Sequence, residues 1–360
     1  RRPSAIASGS EFVTQTPDHF LRFASWGYAL VYFTGFLGPG LKMIQRGRFS
    51  ATVIAALLVM LVGCGQESPE AVAEKGKPRV AVIMKSLANE FFVTMAAGTR
   101  EHHAANSESY DLIMNGIKDE TALTEQVALV EQMIATGVDV IVLAPADSKA
   151  LLPVVKRAIS RGIIVINIDN KLDDELIVAA GITVPFVGPV DREGARAVGD
   201  FLATKLTTGD EVAIIGGIST AFNAQQRQAG FEEAMAAAGA NIVSVQDGNW
   251  HQAKASTIAS ALISEYPNLK ALLCSNDSMA IGAVAAVRQA GKTGQIQVVG
   301  YDNISATHDL LRNGELLATA DQHGGQLAVY GIEFALQILR HGTVPEDKMT
   351  PVDLVTVDDL

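Results

Sequence analysis

Amides and carboxylates recur in this chain where short apolar runs stop. "RVAVIM" is followed by Asn89, Phe91 and Phe92, and "IIVINID" ends on Asp169 and leads into Asn170. "NIVSVQDG" runs into Asn249 and Trp250, "LKALLCSN" ends at Asn276 before Asp277, and "IQVVGYD" ends at Asp302 before Asn303. "LLATADQ" carries Asp321 and Gln322. Carboxylates and carboxamides exchange paired hydrogen bonds with vicinal hydroxyls. An aromatic face covers the apolar C–H face of a sugar ring. Together these are the ingredients of a carbohydrate or polyol cleft. Each residue alone has a plainer explanation: Asn or Asp before a helix is an N-cap, and Phe91 or Phe92 is a core side chain. The argument rests on their recurrence at nearly every run end. Neighbours on one helix lie about 100° apart, so Phe91 and Phe92 cannot share a face. One can meet a ligand while the other closes the wall or packs inward.

Alternating strands and helices must position these groups. Residues 79–84, 110–115, 138–145 and 163–169 are short apolar runs of the kind that forms buried parallel strands. Amphipathic helical stretches lie between them, roughly at 91–105, 120–136 and 148–161. "LIVAAGI" (176–182) reads as a further strand. The pattern then restarts with 211–217, 241–248, 269–276 and 296–302. Such alternation means βαβ units and right-handed crossovers. Two halves of similar size give two doubly wound lobes, with "TVPFVGPVD" (183–191) as their junction. In open α/β sheets ligands bind beyond the carboxyl ends of the strands, where the amides and carboxylates fall.

A length of 360 residues fits two domains beside a non-globular part, and 48% hydrophobic residues supply sizeable cores. A net charge of −11 argues against a nucleic-acid partner, because phosphate contacts demand clustered Lys and Arg. With two cysteines there is no disulfide framework. Cys274 sits in an apolar run and reads as a small core residue. Cys64 closes "ATVIAALLVMLVGC", which follows Met43 and a basic stretch with Arg46 and Arg48. That is a secretory signal too short to span a bilayer, and Leu61-Val62-Gly63-Cys64 resembles a bacterial lipobox. The expectation is an upstream, non-native segment at 1–42, a lipoprotein signal at 43–63, a lipidated Cys64 and a flexible tether to residue 78.

Enzyme signatures do not stand out. "IGGIST" has no Lys-Ser/Thr of a phosphate loop, and no G-x-G-x-x-G follows the first strand. There is no G-x-S-x-G elbow. His102 and His103 are adjacent, without metal-ligand spacing, and read as a solvated face. No cofactor and no metal is called for.

From Arg79 onward the chain resembles the periplasmic ribose-binding-protein family, receptors of sugar ABC importers. "ANEFF", "VINID", "QQRQAGFEEAM", "SNDSMAIGA", "VVGYD" and "ATADQ" fall in that family's order and spacing. The resemblance implies an α/β fold of periplasmic binding protein type I, two Rossmann-like parallel-sheet lobes joined by a three-crossing hinge. Crossings are expected near Pro189, Gln322 and Asp353, giving a first lobe of 79–188 plus 323–353 and a second of 189–322 plus 354–360. Carried over by position, the ligand residues are Asn89, Phe91, Phe92, Asp169, Trp250, Asn276, Asp302 and Gln322. Asn170 and Gln225 stand where ribose receptors have arginines, while Arg227 matches a nearby arginine of an R-x-x-G-F pattern. Two lost guanidiniums remove rigid bidentate donors and argue against ribose itself, not against a neutral sugar or polyol. The implied protein is a monomeric, non-enzymatic solute receptor that delivers its ligand to an ABC permease from a membrane or cell-surface anchor at Cys64. The competing readings are the sensing core of a lac-repressor-type regulator, a chemoreceptor or quorum-signal co-receptor, and a glycosidase using Asp169 and Asp302. A regulator would need a helix-turn-helix before residue 79, where a signal and tether stand instead. A carboxylate pair split across opening lobes suits capture better than catalysis.

Overall fold

A computed structural model describes residues 76–360, so the expectations for 1–63, Cys64 and most of the tether lie outside the described residues. Six parallel strands make the first sheet: β1 (Arg79–Ser86), β2 (Asp111–Ile117), β3 (Val140–Leu143), β4 (Ile164–Ile168), β5 (Phe186–Pro189) and β11 (Lys348–Thr350). Their order is β11-β5-β4-β3-β1-β2. The second sheet orders β7 (Asn241–Asp247), β6 (Glu211–Gly216), β8 (Leu269–Cys274) and β9 (Gln297–Val299), again parallel. A bridge between Val299 and Ala318 continues it toward β10 (Thr319–Asp321), which pairs antiparallel with β12 (Asp353–Val355). The first strand of each half thus lies inside its sheet, with its sequence neighbours on opposite sides. That reversal is a topological switch point, where open sheets leave a crevice for ligands.

Strand alternation sorts the core into layers. In β1, Val80, Val82 and Met84 face one side with helices α1 (Glu90–Ala105) and α10 (Gly324–His341). Ala81 and Ile83 face the other side with α2 (Leu123–Thr136) and α3 (Leu152–Ser160). The second sheet repeats the scheme. Val212 and Ile214 pack on α5 (Asp191–Ala203) and α6 (Phe222–Ala238), and Ala213 and Ile215 on α7 (Gln252–Glu265) and α8 (Asp277–Gln289). Cys274 lies in that last layer, fully buried, as its apolar run implies. Gly98 lets α1 touch α10, since a Cβ there would overlap the Gly325 carbonyl. Buried Gln126 ties the strand ends together: it donates to the Ala144 carbonyl at 2.8 Å and accepts from the Ala146 amide at 2.8 Å.

The chain passes from the first sheet to the second after β5, returns after β10, and crosses again between β11 and β12. One expected strand is wrong. Residues 176–182 fall mostly in a helix, α4 (Asp174–Ala180), and the fifth strand is β5, inside the supposed junction. Local capping outweighs the apolar run. Asp173 accepts the Leu176 amide at 2.9 Å, Asp174 and Glu175 favour the positive helix start, and Gly181 ends the helix with φ 64°. The helix buries no residue and leaves Val178 exposed. The His pair also differs from expectation. His102 Nδ1 lies 2.9 Å from the Tyr110 hydroxyl, and both rings pack on Tyr110. Among the described residues no cluster of His, Cys, Asp or Glu could hold a metal, and no helix is long and apolar enough to cross a membrane.

Candidate functional site

The loops beyond the strand ends carry unusual backbone. Asp169 (φ 64°), Trp250 (φ 66°) and Asp302 (φ 121°) all lie at positive φ. Asp tolerates the left-handed region, but a bulky residue there is an outlier that its surroundings must enforce. The surroundings of Trp250 are explicit: its indole lies against Gly217, where any Cβ would collide with the ring. Asn249 before it is also left-handed. The turn therefore aims the indole back over the sheet end instead of out to solvent.

These three residues and nine others enclose a cavity of about 220 Å³ between the two sheets' carboxyl ends. From the first lobe come Asn89, Phe91, Phe92 and Asp169. Phe91 and Phe92 meet edge to face, centroids 5.0 Å apart at 81°, so both rings line the cavity while packing on each other. From the second lobe and its return come Arg227, Trp250, Asn276, Asp302 and Gln322. Asn89 and Asn276 serve as caps as well as cavity wall. Asn89 Oδ1 accepts the Phe91 amide at 3.1 Å, and Asn276 Oδ1 accepts the Met279 amide at 2.9 Å.

Two of the sequence-derived positions do not line the cavity. Gln225 turns away and donates to the Ser219 carbonyl at 2.8 Å. The cause is helical: residues four apart share a face, so Asn223 and Arg227 of α6 point inward and Gln225 does not. Asn170 is fully buried beside the cavity, where its Oδ1 accepts the Asn223 amide at 3.2 Å across the cleft. It joins the lobes and leaves the lining to Asp169. Three lining residues were missed: Lys85, Glu120 and Asn223. Lys85 had a signal, as the one charge near the end of an apolar strand. Asn223 had its spacing from Arg227. Glu120, in a polar turn, had none.

Charges inside the cavity are paired within each lobe. Lys85 Nζ lies 2.9 Å from Asp169 Oδ2 and 3.9 Å from Glu120, and Asn89 Nδ2 donates to Glu120 Oε1 at 3.1 Å. Arg227 Nε donates to Asp191 Oδ1 at 2.7 Å, and its Nη1 to Asp302 Oδ1 at 3.3 Å and to the Ser275 carbonyl at 3.0 Å. Gln322 Nε2 donates to Asp302 Oδ1 at 2.6 Å. Burial pushes the Asp302 carboxyl well above the usual range, against the pull of Arg227. Burial likewise lifts Asp191 to about 6, again opposed by Arg227, and raises Glu120 against Lys85. Behind the site Asp277 is pushed up to about 6 by burial, while it accepts from Thr319 Oγ1 at 2.7 Å and the Ile304 amide at 3.0 Å.

What remains is a set of buried polar atoms with no hydrogen-bond partner among the described residues: Asn223 Oδ1, Gln322 Oε1 and Trp250 Nε1. Asp169 Oδ2 has only the Lys85 ammonium beside it. Native structures leave few such groups, and each calls for an explanation. Here two amide acceptors and one indole donor converge on one small cavity, with the Asp169 carboxylate, two phenyl rings and the indole face beside them.

The periplasmic binding protein domain matches residues 80–343 of this chain. The chain belongs to the periplasmic binding protein family. This periplasmic binding protein is 52% identical over 322 residues to the D-ribose/D-allose-binding protein of Pseudomonas aeruginosa, covering 88% of this chain and 99% of that one. It is 32% identical over 279 residues to the D-allose-binding periplasmic protein of Escherichia coli, covering 76% and 89%. Among solved structures, an ABC transporter solute binding protein from Burkholderia multivorans with an unknown ligand superposes with a TM-score of 0.77 at 58% identity, covering 78% of this chain and all of that one. A solute binding protein from Actinobacillus succinogenes with bound D-allose gives 0.75 at 33%, covering 79% and 99%. The type I fold and the ribose-receptor resemblance carried by the sequence motifs therefore hold for this periplasmic binding protein. The relatives named here are receptors, not transcription regulators.

Proposed function

We propose that this chain is an extracytoplasmic receptor of an ABC import system that traps a neutral monosaccharide, D-ribose or D-allose, between its lobes. The observation that carries the reading is the pair of buried amide acceptors and one indole donor without hydrogen-bond partners among the described residues, beside three aromatic faces, in a cavity of about 220 Å³. Hydroxyls satisfy such acceptors in pairs, and rings cover C–H faces. Lys85 and Arg227 each already stand against two carboxyl groups, so among the described residues the cavity offers no free cation to an anionic solute, and a neutral one adds no charge. D-Ribose and D-allose carry the same run of ring hydroxyl configurations and differ by one hydroxymethylene unit, so one set of acceptors serves both. The sequence argued against ribose from two missing arginines. Arg227 and Lys85 supply cationic donors inside the cavity, and that objection loses its force. Asp169 and Asp302 are each held against a buried cation of their own lobe, which favours capture over turnover. The lipid on Cys64, the tether to residue 78, the monomeric state and lobe boundaries just after β5, just after β10 and between β11 and β12 complete the proposed receptor; the boundaries expected at 188/189 and 353/354 each shift to keep β5 and β12 whole.

Titration calorimetry of the protein with D-ribose, D-allose, other pentoses and hexoses, and myo-inositol tests the assignment. The expected result is one-to-one binding of ribose or allose tighter than of any other solute, with the sugar recovered unchanged. Tight binding of an amino acid or peptide with no heat from any sugar would overturn it.

A further inference from the structure

The ligand cavity has a neighbour. A second, outer cavity of about 650 Å³ opens at the rim of the cleft, and Asn89, Glu120 and Trp250 line both. These three side chains form the partition between the inner site and the mouth. All three are at least nine-tenths buried. Trp250 is fixed by its left-handed backbone and its seat on Gly217. Glu120 is fixed by Asn89 Nδ2 at 3.1 Å and by the turn that carries it. In that turn Asp119 Oδ1 accepts the Thr121 amide at 2.8 Å, and Asp119 Oδ2 lies 2.9 Å from His251 Nε2 across the cleft. The partition is thus tied to both lobes: Asp119 precedes Glu120, and His251 follows Trp250.

We infer that Glu120 is a size-determining residue: with Trp250 it walls off one substituent position of the bound sugar, restricts the receptor to the free monosaccharide, and excludes glycosides and ethers whose extra group would have to reach the outer cavity. The inference rests on the proposed sugar-capture function and deepens it by naming the substrate class at that wall. The outer cavity, about 650 Å³ against about 220 Å³ for the inner one, is where the extra group of a glycoside would have to go. Glu120 is the removable part of the wall. Trp250 supplies the ring face, and Asn89 caps α1, whereas Lys85 keeps Asp169 as its partner when Glu120 is gone.

The test compares wild type and Glu120→Ala against D-ribose, D-allose, their methyl glycosides and their mono-O-methyl ethers, with binding read by calorimetry. Wild type should reject every methylated derivative by about tenfold or more relative to the parent sugar, the usual cost of one misplaced methyl in a fitted pocket. Glu120→Ala should recover at least about tenfold affinity for derivatives methylated at one position only, the position facing the wall. Wild type binding a methyl derivative as tightly as its parent overturns the inference without any variant. So does a folded Glu120→Ala that gains for none, or that gains equally for all. Should wild type bind neither parent sugar, the sugar-capture reading itself fails, and the inference with it; binding of the parent without a position-specific gain removes only the wall. Glu120→Ser, which keeps a small polar side chain, supplies the same comparison if the alanine variant does not fold.

Discussion

Asp302 shows how a single carboxylate is both structure and site. It accepts from Arg227 and Gln322 on one oxygen, and burial holds its carboxyl above the usual range. Replacing it by alanine would leave the Arg227 guanidinium with Asp191 alone, and breaking a buried ion pair costs about 3–5 kcal/mol. Asparagine is therefore the informative change. Hydroxyl donors favour the ionised form of a carboxylate, so capture of a sugar should lower the Asp302 pKa and release a proton. The sign follows: affinity rises with pH from the ordinary carboxylate range up to the raised value, then levels. Calorimetry in two buffers of different ionisation enthalpy at mildly acidic pH should show buffer-dependent heats for wild type and clearly smaller ones for Asp302→Asn, where Glu120 and Asp191 remain as raised carboxyls near the site. The variant should also bind roughly ten- to hundredfold more weakly, since a hydrogen bond to a charged group contributes about 1.5–3 kcal/mol. Identical heats in both buffers for wild type would show that Asp302 is already ionised before the sugar arrives.

The loops after the strands do the aiming at the level of elements. Trp250 leaves β7 through two successive left-handed residues and lands on Gly217 in the loop after β6. Two adjacent strands thereby cooperate to place one ring. Gly217→Ala should push the indole off its seat while touching no ligand atom. Overpacking of this kind costs about 1–3 kcal/mol. Sugar affinity should drop about tenfold or more, and the Trp250 emission should shift to the red as the ring gains water. An unchanged affinity together with an unchanged spectrum would mean that the loop gives way without moving the ring. The same logic explains α6, where Asn223 and Arg227 share the inward face and Gln225 does not.

At the scale of the molecule the two lobes are in contact around the cavity. Thr220 Oγ1 donates to Asp147 Oδ2 at 2.7 Å, Phe222 donates its amide to Ser148 Oγ at 2.9 Å, and Ser305 donates its amide to Glu90 Oε1 at 2.9 Å. With the His251–Asp119 pair these contacts surround the site from several sides. Each is polar and partly exposed, and such contacts contribute little singly. A ligand that touches both lobes binds this closed form better than an open one and must shift the population toward it. Three chain crossings near Pro189, Gln322 and Asp353 leave few residues to absorb the motion. Small-angle scattering should show a smaller radius of gyration with saturating sugar than without. Superimposable profiles, with the sugar-free protein already compact, would remove closure from the mechanism.

The chain's periodicity determined the two α/β halves. Buried parallel strands must be apolar on both faces, and that pattern is local. The strand ends also named most of the cavity: Asn89 and Asn276 are explained singly as helix caps, but their recurrence with Asp169 and Asp302 at nearly every strand end pointed to a common space. The motif order identified the family for the same reason. Other features were decided only in three dimensions. "LIVAAGI" is a different case: Asp173 and Gly181 cap it as α4, a local signal present in the sequence but outweighed in the reading by apolar composition. Lys85, Glu120 and Asn223 joined the site through folding that brings β1, the turn after β2 and α6 to one point. Asn170 and Gln225 left the lining because backbone direction decides which of two near neighbours points inward, and a sequence does not record it. The charge pairing was equally illegible: Lys85 and Asp169 are 84 positions apart and Arg227 and Asp302 are 75 apart. Their desolvation, and so their pKa values, exist only once two sheets have closed over them.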